Sequence, residues 1–294
     1  MISIDTKLCK ACGICGNVCP RHILETIQKN EQKTTSISKS RANLCMECGH
    51  CEAVCPNEAI KLDCYRNEQF PKAESVDFNE NQLLELVKQR RSVRRYQNKP
   101  VPRDILNQII SISRYSPTGT GRRVTGVIII DSPESLKTLS EHVYEIYKNL
   151  GKGLRNPIAK QIIKRRIGTK LFSTLTNFVM PGMNWYIKWY NEKKSNEIFR
   201  DCPALILFHN PVSEPMASEN CLIAAFNAHL VSQIFGIGSC VNDLIPPACN
   251  RSLKARELLN LPKGREIYAS LTLGYPKYKF KRSIPREFVS VQYL

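Results

Sequence analysis

Eight cysteines occur in two short runs with the same spacing, and their thiols are the side chains of this chain best suited to chemistry. The runs span residues 9–20 and 45–56, and each reads C-x2-C-x2-C-x3-C-P. The cysteines are Cys9, Cys12, Cys15, Cys19, Cys45, Cys48, Cys51 and Cys55. Thiolates at this spacing hold a [4Fe–4S] cube, so the runs predict two [4Fe–4S] clusters.

The residues between the cysteines recur as well, which makes the two runs an internal repeat. Leu8, Gly13, Val18 and Pro20 return as Leu44, Gly49, Val54 and Pro56. In such runs three cysteines hold one cluster and the fourth reaches the other. The expected ligand sets are Cys9, Cys12, Cys15 and Cys55 for one cluster, and Cys45, Cys48, Cys51 and Cys19 for the other. The stretch resembles the bacterial two-cluster ferredoxins.

Zinc is the alternative to iron and sulfide, because C-x2-C pairs also bind zinc. A zinc site needs four ligands and typically takes them from two C-x2-C pairs that lie far apart in the sequence. Here four cysteines stand in one run that closes with a proline. This spacing favours iron–sulfur clusters over zinc.

The other five cysteines follow no ligand spacing, so we expect small buried hydrophobic side chains rather than disulfides. They are Cys64, Cys202, Cys221, Cys240 and Cys249. The first cluster run begins too early to leave room for a signal peptide. The chain has no apolar run of membrane-spanning length. These features together predict a cytoplasmic protein with no transmembrane segment.

The net charge of +17 is concentrated outside the cysteine-rich part. Residues 1–75 hold ten Lys and Arg against nine Asp and Glu, whereas residues 143–200 hold twelve against three. An excess of this size raises the question of nucleic-acid binding. The sequence contains no helix-turn-helix, zinc-finger or RNA-binding signature, so we expect no nucleic-acid partner.

The sequence divides into a two-cluster ferredoxin domain over residues 1–72, with repeats at about 1–30 and 36–66, and a body over 78–294 with an insert at about 143–200. A polar hairpin or loop is expected at 29–36, and a charged linker at 65–75. Strands are expected at 124–130, 203–208, 237–241 and 268–273. Helices are expected after the candidate N-caps of Asp77-Phe78-Asn79, over 105–112, after Ser132, after Asn156, from Ser218 to Phe235 and over 250–259, with a break at Pro181-Gly182.

Four motifs in the body resemble the FMN-dependent nitroreductases. They are Arg90-Arg91-Ser92-Val93-Arg94, Ser116-Pro117-Thr118-Gly119, the helix from Ser218 into Gly236-Ile-Gly238-Ser239, and Leu273-Gly274-Tyr275-Pro276 with a basic tail. The resemblance implies an α+β fold, a mixed sheet flanked by helices, and a homodimer with FMN at the subunit interface. Family members often continue the second motif with Asn and then Gln-Pro, where this chain has Gly121-Arg122-Arg123.

An FMN phosphate favours converging Arg and Lys side chains. The expected phosphate-binding residues are Arg90, Arg91, Ser92, Arg94, Lys281 and Arg282. By resemblance, the backbone of Pro117, Thr118, Gly119 and Thr120 lies against the flavin ring, and Gly238 with Ser239 approaches its opposite part. The flavin carries the chemistry, so no catalytic side chain is expected.

The predicted function is an electron relay. An external low-potential donor such as a ferredoxin reduces the clusters, the clusters reduce FMN, and FMN reduces a small acceptor such as a nitro compound, a quinone or an activated alkene. The alternative is a non-enzymatic electron-transfer adaptor or redox sensor. The aromatic and basic insert is open to three interpretations: a lid over the flavin, a surface for an acidic substrate or partner, or a packed helical excursion.

Overall fold

The computed structural model describes residues 2–29, 32–65, 70–72, 74, 76–77, 79–193 and 195–294. The chain forms two compact units. The first comprises Met1–Asp77 with Thr118–Arg123, and the second comprises Phe78–Pro117 with Val124–Leu294. Much of the linker predicted at 65–75 lies outside the described residues.

The first unit is built from two strand pairs and short helical turns that follow the internal repeat. β1 (Ile2–Ile4) pairs antiparallel with β4 (Ile60–Leu62), and β2 (Leu24–Lys29) pairs antiparallel with β3 (Gln32–Ile37). The second pair confirms the hairpin predicted at 29–36, although its tip lies outside the described residues. The helical turns are α1 (Ile14–Asn17), α2 (His50–Ala53) and the 3₁₀ turns Ala42–Leu44 and Asp63–Tyr65. Leu24, Ile60 and Leu62 pack around the buried Cys15 and Cys51.

A four-stranded sheet lies at the centre of the second unit. Its strands are β5 (Gly126–Ile130), β6 (Ala204–Pro211), β7 (Gly238–Val241) and β8 (Arg265–Gly274), in the spatial order β5-β6-β8-β7. The pairs within the sheet are antiparallel. Ser92 joins the β7 edge through a parallel bridge to Ser239, so both strand directions occur at the edge that leads into the candidate site.

Helices cover both faces of the sheet. They are α3 (Glu80–Gln89), α4 (Arg103–Ser113), α5 (Pro133–Arg155), α6 (Pro157–Thr174), α7 (Met180–Lys193), α8 (Ala217–Ser232), α9 (Ile245–Arg251) and α10 (Leu253–Leu258). The predicted starts after Asn79, Ser132 and Asn156 are confirmed, because each of these side chains accepts a backbone N–H of the first turn. Within the described part of the chain, no helix combines the length and the apolar character needed to cross a bilayer.

The central strand β6 is apolar on both faces, as its sequence predicted. Leu205 and Leu207 point into a core with α5, α7 and α9, while Ile206 and Phe208 point into a second core with α4 and α8. Alternate residues of a strand face opposite sides. A strand with helices on both sides therefore needs a continuous apolar run.

Three predicted boundaries were wrong. The irregularity near Pro181 is a π-helical turn over Leu175–Val179 that lies before the proline, and the chain continues from this turn directly into α7. Met216, not Ser218, precedes α8. The helix expected over 250–259 is two helices, since Ser252 adopts an extended backbone and caps α10.

Candidate functional site

The first unit gathers the eight cysteines of the two runs into two sets, each around a small cavity. Cys9, Cys12, Cys15 and Cys55 line one cavity. Cys19, Cys45, Cys48 and Cys51 line the other. Each set takes three cysteines from one run and the fourth from the other run. These are the sets expected for two clusters, and the assignment of ligands remains a prediction.

The fourth cysteine of each run accepts an equivalent backbone hydrogen bond. The N–H of Ile23 donates to Cys19 Sγ at 3.5 Å, and the N–H of Ala59 donates to Cys55 Sγ at 3.3 Å. Hydrogen bonds to cluster sulfur raise the reduction potential of an iron–sulfur centre by stabilising its more negative state. Both sets therefore have a backbone donor built into the repeat.

Burial raises the pKa of the Cys51 thiol to about 12, and the neighbouring Cys48, Cys45 and Cys19 add to that rise. Burial also raises the pKa of Cys15 in the other set. Four thiolates packed together repel one another, so without metal the thiols keep their protons, and bound metal ions would displace these protons and neutralise the thiolates. The donor sets thus have the chemistry of a metal–sulfur site. No group of Cys, His, Asp or Glu among the described residues has the geometry of a single-ion site.

The segment Thr118–Arg123 lies against the second cysteine set within the first unit. Gly121 has a backbone φ of 71°, and a Cβ atom added there would lie 2.7 Å from Cys48 Cβ. Arg123 donates from Nη2 to the Cys64 carbonyl at 2.9 Å, and its guanidinium lies 4.1 Å from the centre of the Tyr65 ring. Glycine at 121 therefore allows the backbone to approach Cys48 closely.

The second unit contains a cavity of about 580 Å³ with a strongly basic wall. The wall is formed by the second half of α3 and the residues that follow it, the end of α8 with the start of β7, and the tail after β8. Its charged side chains are Arg90, Arg91, Lys279, Lys281, Arg282 and Glu85. Five cations thus face one carboxylate, an imbalance that suits an anionic ligand.

Arg91 holds the basic tail against the segment that follows α3. Its Nη2 donates to the Arg282 carbonyl and its Nη1 to the Arg90 carbonyl, both at 2.9 Å. Its buried Nε has no hydrogen-bond partner among the described residues. An orphaned buried donor in a basic wall fits an anion such as a phosphate.

A directed chain of hydrogen bonds holds Arg90 in the wall. Arg90 Nη1 lies 2.8 Å from His229 Nε2, and His229 Nδ1 lies 2.7 Å from Ser239 Oγ. Because a guanidinium only donates, His229 Nε2 must accept and Nδ1 must carry the proton. Ser239 Oγ lies 2.7 Å from Ser232 Oγ, which donates to the His229 carbonyl at 3.0 Å. Burial and the Arg90 charge lower the pKa of His229 to about 4, which keeps this tautomer neutral.

The cavity brings together half of the predicted cofactor residues. Those in its wall are Arg90, Arg91, Gly238, Ser239, Lys281 and Arg282. Ser92 is bridged to Ser239, and Arg94 Nη1 lies 3.5 Å from the Ser92 carbonyl; neither Arg94 nor Pro117 belongs to the wall. Thr118, Gly119 and Thr120 belong to the first unit, and their contact with a flavin stays a prediction.

Sequence reasoning missed His229 and Ser232. On sequence alone, His229 fits a histidine packed in the core, and it is indeed buried, with 4% of its surface exposed. The pair sits three residues apart on α8, a spacing that places both side chains on one face. Arg90 and His229 lie 139 positions apart in the sequence, so only the tertiary structure shows that this face of α8 contacts Arg90.

Comparison with known proteins finds a family match for each of the two units. The family model described as 4Fe-4S dicluster domain matches residues 8–73, and the model of the nitroreductase family matches residues 87–275. Together the matches define the class, an iron–sulfur oxidoreductase. Since the nitroreductase match covers well over half of the sequence, the chain belongs to the nitroreductase family.

Solved structures share the fold of the second unit. An FMN-bound nitroreductase from Bacteroides fragilis aligns at a TM-score of 0.55 and 20% identity, covering 74% of this chain and 100% of that one. An FMN-bound nitroreductase from Desulfitobacterium hafniense gives 0.55 and 16% over the same shares. Among curated sequences, the iodotyrosine deiodinase of Nematostella vectensis is 23% identical over 71% of this chain and 72% of that protein.

We predict that Gly121→Ala destabilises the first unit through its contact with Cys48. Gly264→Ala is the matched control, because Gly264 has a similar φ of 73° but nothing within 4 Å of an added Cβ. The left-handed backbone alone should cost the control about 1 kcal/mol. Gly121→Ala should cost more and should speed the release of iron to a ferrous chelator. Calorimetry and chelator kinetics measure both effects, and equal costs with equal iron release would contradict the close approach.

We predict that His229 makes the second unit less stable as the pH falls from 7.5 to 5.5. The folded pKa of about 4 lies below the ordinary value of 6.5. The unfolded chain therefore binds a proton over this range while the folded chain does not. His229→Gln should lose about 1 kcal/mol less stability than the wild type over this range.

Denaturant unfolding followed by tryptophan fluorescence suits this measurement, because both tryptophans lie in the second unit. Between pH 7.5 and 8.5 the two proteins should show the same pH dependence, which serves as the internal control. Identical losses below pH 7.5 would show that His229 is not held neutral.

Proposed function

We propose that this protein is an FMN-dependent oxidoreductase that carries two [4Fe–4S] clusters and reduces a small electrophilic acceptor. The observation that carries the proposal is that one chain combines two four-cysteine sets with a basic cavity that faces only one carboxylate. The first feature suits one-electron carriers and the second suits a phosphate-bearing cofactor. Membership of the nitroreductase family supports the same conclusion.

The proposed ligand sets are Cys9, Cys12, Cys15 and Cys55 for one cluster and Cys45, Cys48, Cys51 and Cys19 for the other. Support comes from the two small cavities that these sets line. The backbone N–H groups of Ile23 and Ala59, which donate to Cys19 and Cys55, would stabilise the reduced clusters.

The proposed FMN site is the basic cavity. Arg90, Lys281 and Arg282 would hold the phosphate, while Gly238 and Ser239 would let the cofactor approach the start of β7. Arg91 would hold the tail in place through the Arg282 carbonyl and would offer its unpaired Nε to the phosphate. The FMN-bound nitroreductases of the same fold support this choice. Contacts of Ser92, Arg94 and the segment 117–120 with FMN remain part of the proposal.

In the proposed reaction an external low-potential donor, such as a ferredoxin, supplies two electrons one at a time through the clusters. Bound FMN would supply the chemistry that turns two single electrons into one hydride transfer to the acceptor. With two protons taken from water, the net change converts an acceptor A to AH₂. A quinone or an activated alkene takes up both hydrogens in this way, whereas a nitro compound takes up the same two electrons and two protons and releases water to give a nitroso compound. The chain's own residues bind and orient the cofactor.

We further propose a homodimer in a reducing cytoplasm. Leu83, Leu84 and Val87 of α3 are each exposed, and the tail after β8 exposes Phe288 and Val289. Apolar surface of this kind is typical of a subunit interface. None of the thirteen cysteines forms a disulfide, which is typical of a reducing compartment. A sedimentation mass of a single chain would refute the dimer.

We predict that Arg90→Ala and Arg282→Ala weaken FMN binding. Each removes a charge-assisted hydrogen bond to the phosphate, worth about 1.5–3 kcal/mol, or roughly 10- to 150-fold in Kd. Lys137→Ala is the control, since Lys137 is an exposed cation of α5 outside the cavity wall. Titration of the flavin-free protein with FMN, followed by flavin fluorescence, measures the change. Unchanged Kd values in both cavity variants would place the phosphate elsewhere.

We predict that Cys19→Ser damages one cluster and blocks the electron route. Wild-type protein prepared without oxygen should hold about eight irons per chain, and the variant about four. Cys64→Ser is the control, because Cys64 belongs to neither set. Iron analysis and rapid mixing with reduced ferredoxin measure both effects. If flavin reduction in Cys19→Ser is as fast as in the wild type, the clusters are not the route and the sensor alternative gains support.

A further inference from the structure

A basic arm formed by α6, the π-helical turn and α7, residues 157–193, projects polar and apolar side chains to solvent. It carries seven Lys and Arg and a single acidic residue, Glu192. Its cations are Lys160, Lys164, Arg165, Arg166, Lys170, Lys188 and Lys193. All of these cations are exposed. The arm therefore contributes about a third of the net charge of the chain.

One side of the arm is fixed to the core of the second unit. Met180 and Met183 of α7 are buried there, and the ring of Tyr190 stacks on that of Tyr144 with centroids 4.1 Å apart. α6 has no buried residue. The inner side of the arm thus packs against the core, and the outer side is available to bind a partner.

Large apolar side chains stand among the cations on the outer side. Leu171, Phe178 and Trp185 recur every seven residues and are 63%, 78% and 59% exposed. Ile158, at the start of α6, is 74% exposed. Trp189 packs edge-on against Trp185, and Lys193 Nζ lies 4.5 Å from the Trp189 ring. Exposed apolar side chains grouped in this way are typical of an interaction surface, and the cations around them favour a partner that carries negative charge.

We propose that the basic arm docks on an anionic lipid surface. Lipid head groups supply the negative charge, and the boundary with the acyl chains accepts Leu171, Phe178 and Trp185. Trp and Lys side chains also favour the interface between the head groups and the acyl chains. A second copy of the arm is a poor occupant, because two surfaces of the same strong positive charge repel each other. The proposal concerns the surface of the second unit and does not depend on FMN or cluster binding.

Tryptophan fluorescence reports on the arm specifically, because the chain has only Trp185 and Trp189 and both lie in the arm. Adding phosphatidylcholine vesicles with 30% phosphatidylglycerol, a composition of roughly the charge of an anionic leaflet, should shift tryptophan emission to the blue. The full chain should float with these vesicles and not with pure phosphatidylcholine. Binding should weaken as salt rises.

Two variants separate the charge from the apolar anchors. Replacing both Arg165 and Arg166 by Gln should weaken vesicle binding about 25-fold, from roughly fivefold per basic residue near the surface. Phe178→Ser should weaken binding and reduce the blue shift while leaving the far-ultraviolet circular dichroism unchanged. The matched controls are the Lys137→Gln, Lys254→Gln double variant for charge and Leu253→Ser, which is 79% exposed, for apolar surface.

Equal binding to neutral and anionic vesicles, unchanged tryptophan emission, or equal effects of the arm and control variants would each overturn the proposal. An acidic ferredoxin and duplex DNA are tested in parallel with the same variants. If the arm variants lose binding to either of these while the wild type ignores vesicles, the surface serves a macromolecular partner and the lipid proposal is wrong.

Discussion

The pairing of β6 with β8 is the constraint on which the second unit depends. β6 is buried on both faces, so its backbone groups can be satisfied only by neighbouring strands. β8 supplies one of these neighbours and pairs on its other side with β7. The cavity wall grows from the ends of these strands, because β7 begins at Gly238 and the chain leaving β8 continues into the basic tail. Tyr96 links the segment after α3 to the sheet, because its hydroxyl lies 2.8 Å from the Val93 carbonyl oxygen and 3.1 Å from the Thr272 carbonyl oxygen of β8.

The cavity concentrates positive charge that the protein itself does not neutralise. Burial and the neighbouring Arg286 and Arg91 lower the pKa of Arg90, the sign expected where cations are gathered without an acidic partner. His229 accepts from Arg90 in its neutral form and so positions the guanidinium without adding or cancelling charge. Such a site is destabilising when empty and gains most from an anion, which is the physical basis for proposing a phosphate-bearing cofactor there.

In the first unit the main electrostatic feature is the repulsion among closely packed thiolates. Each half of the repeat provides three cysteines to one set and one to the other, so neither set is complete without both halves. The segment Thr118–Arg123 adds contacts to this unit, with Gly121 beside Cys48. This is also where the sequence departs from the pattern expected of nitroreductases. The departure coincides with a contact to a predicted cluster ligand.

The spacing of residues along the sequence was enough to predict several features of this protein. The cysteine runs predicted both four-member sets, and the apolar run in β6 predicted a strand covered on both sides, because ligand geometry and strand alternation are local properties. Asn79, Ser132 and Asn156 predicted three helix starts for the same reason. The π-helical turn before Pro181 and the division at Ser252 were not predicted, although the Ser252 cap on the backbone N–H of Ala255 is itself a local feature. Arg91 binding the tail, and Arg90 meeting His229, join residues far apart in sequence. No local pattern records which of several arginines will face a cavity, because that depends on which strand ends the tertiary fold brings together.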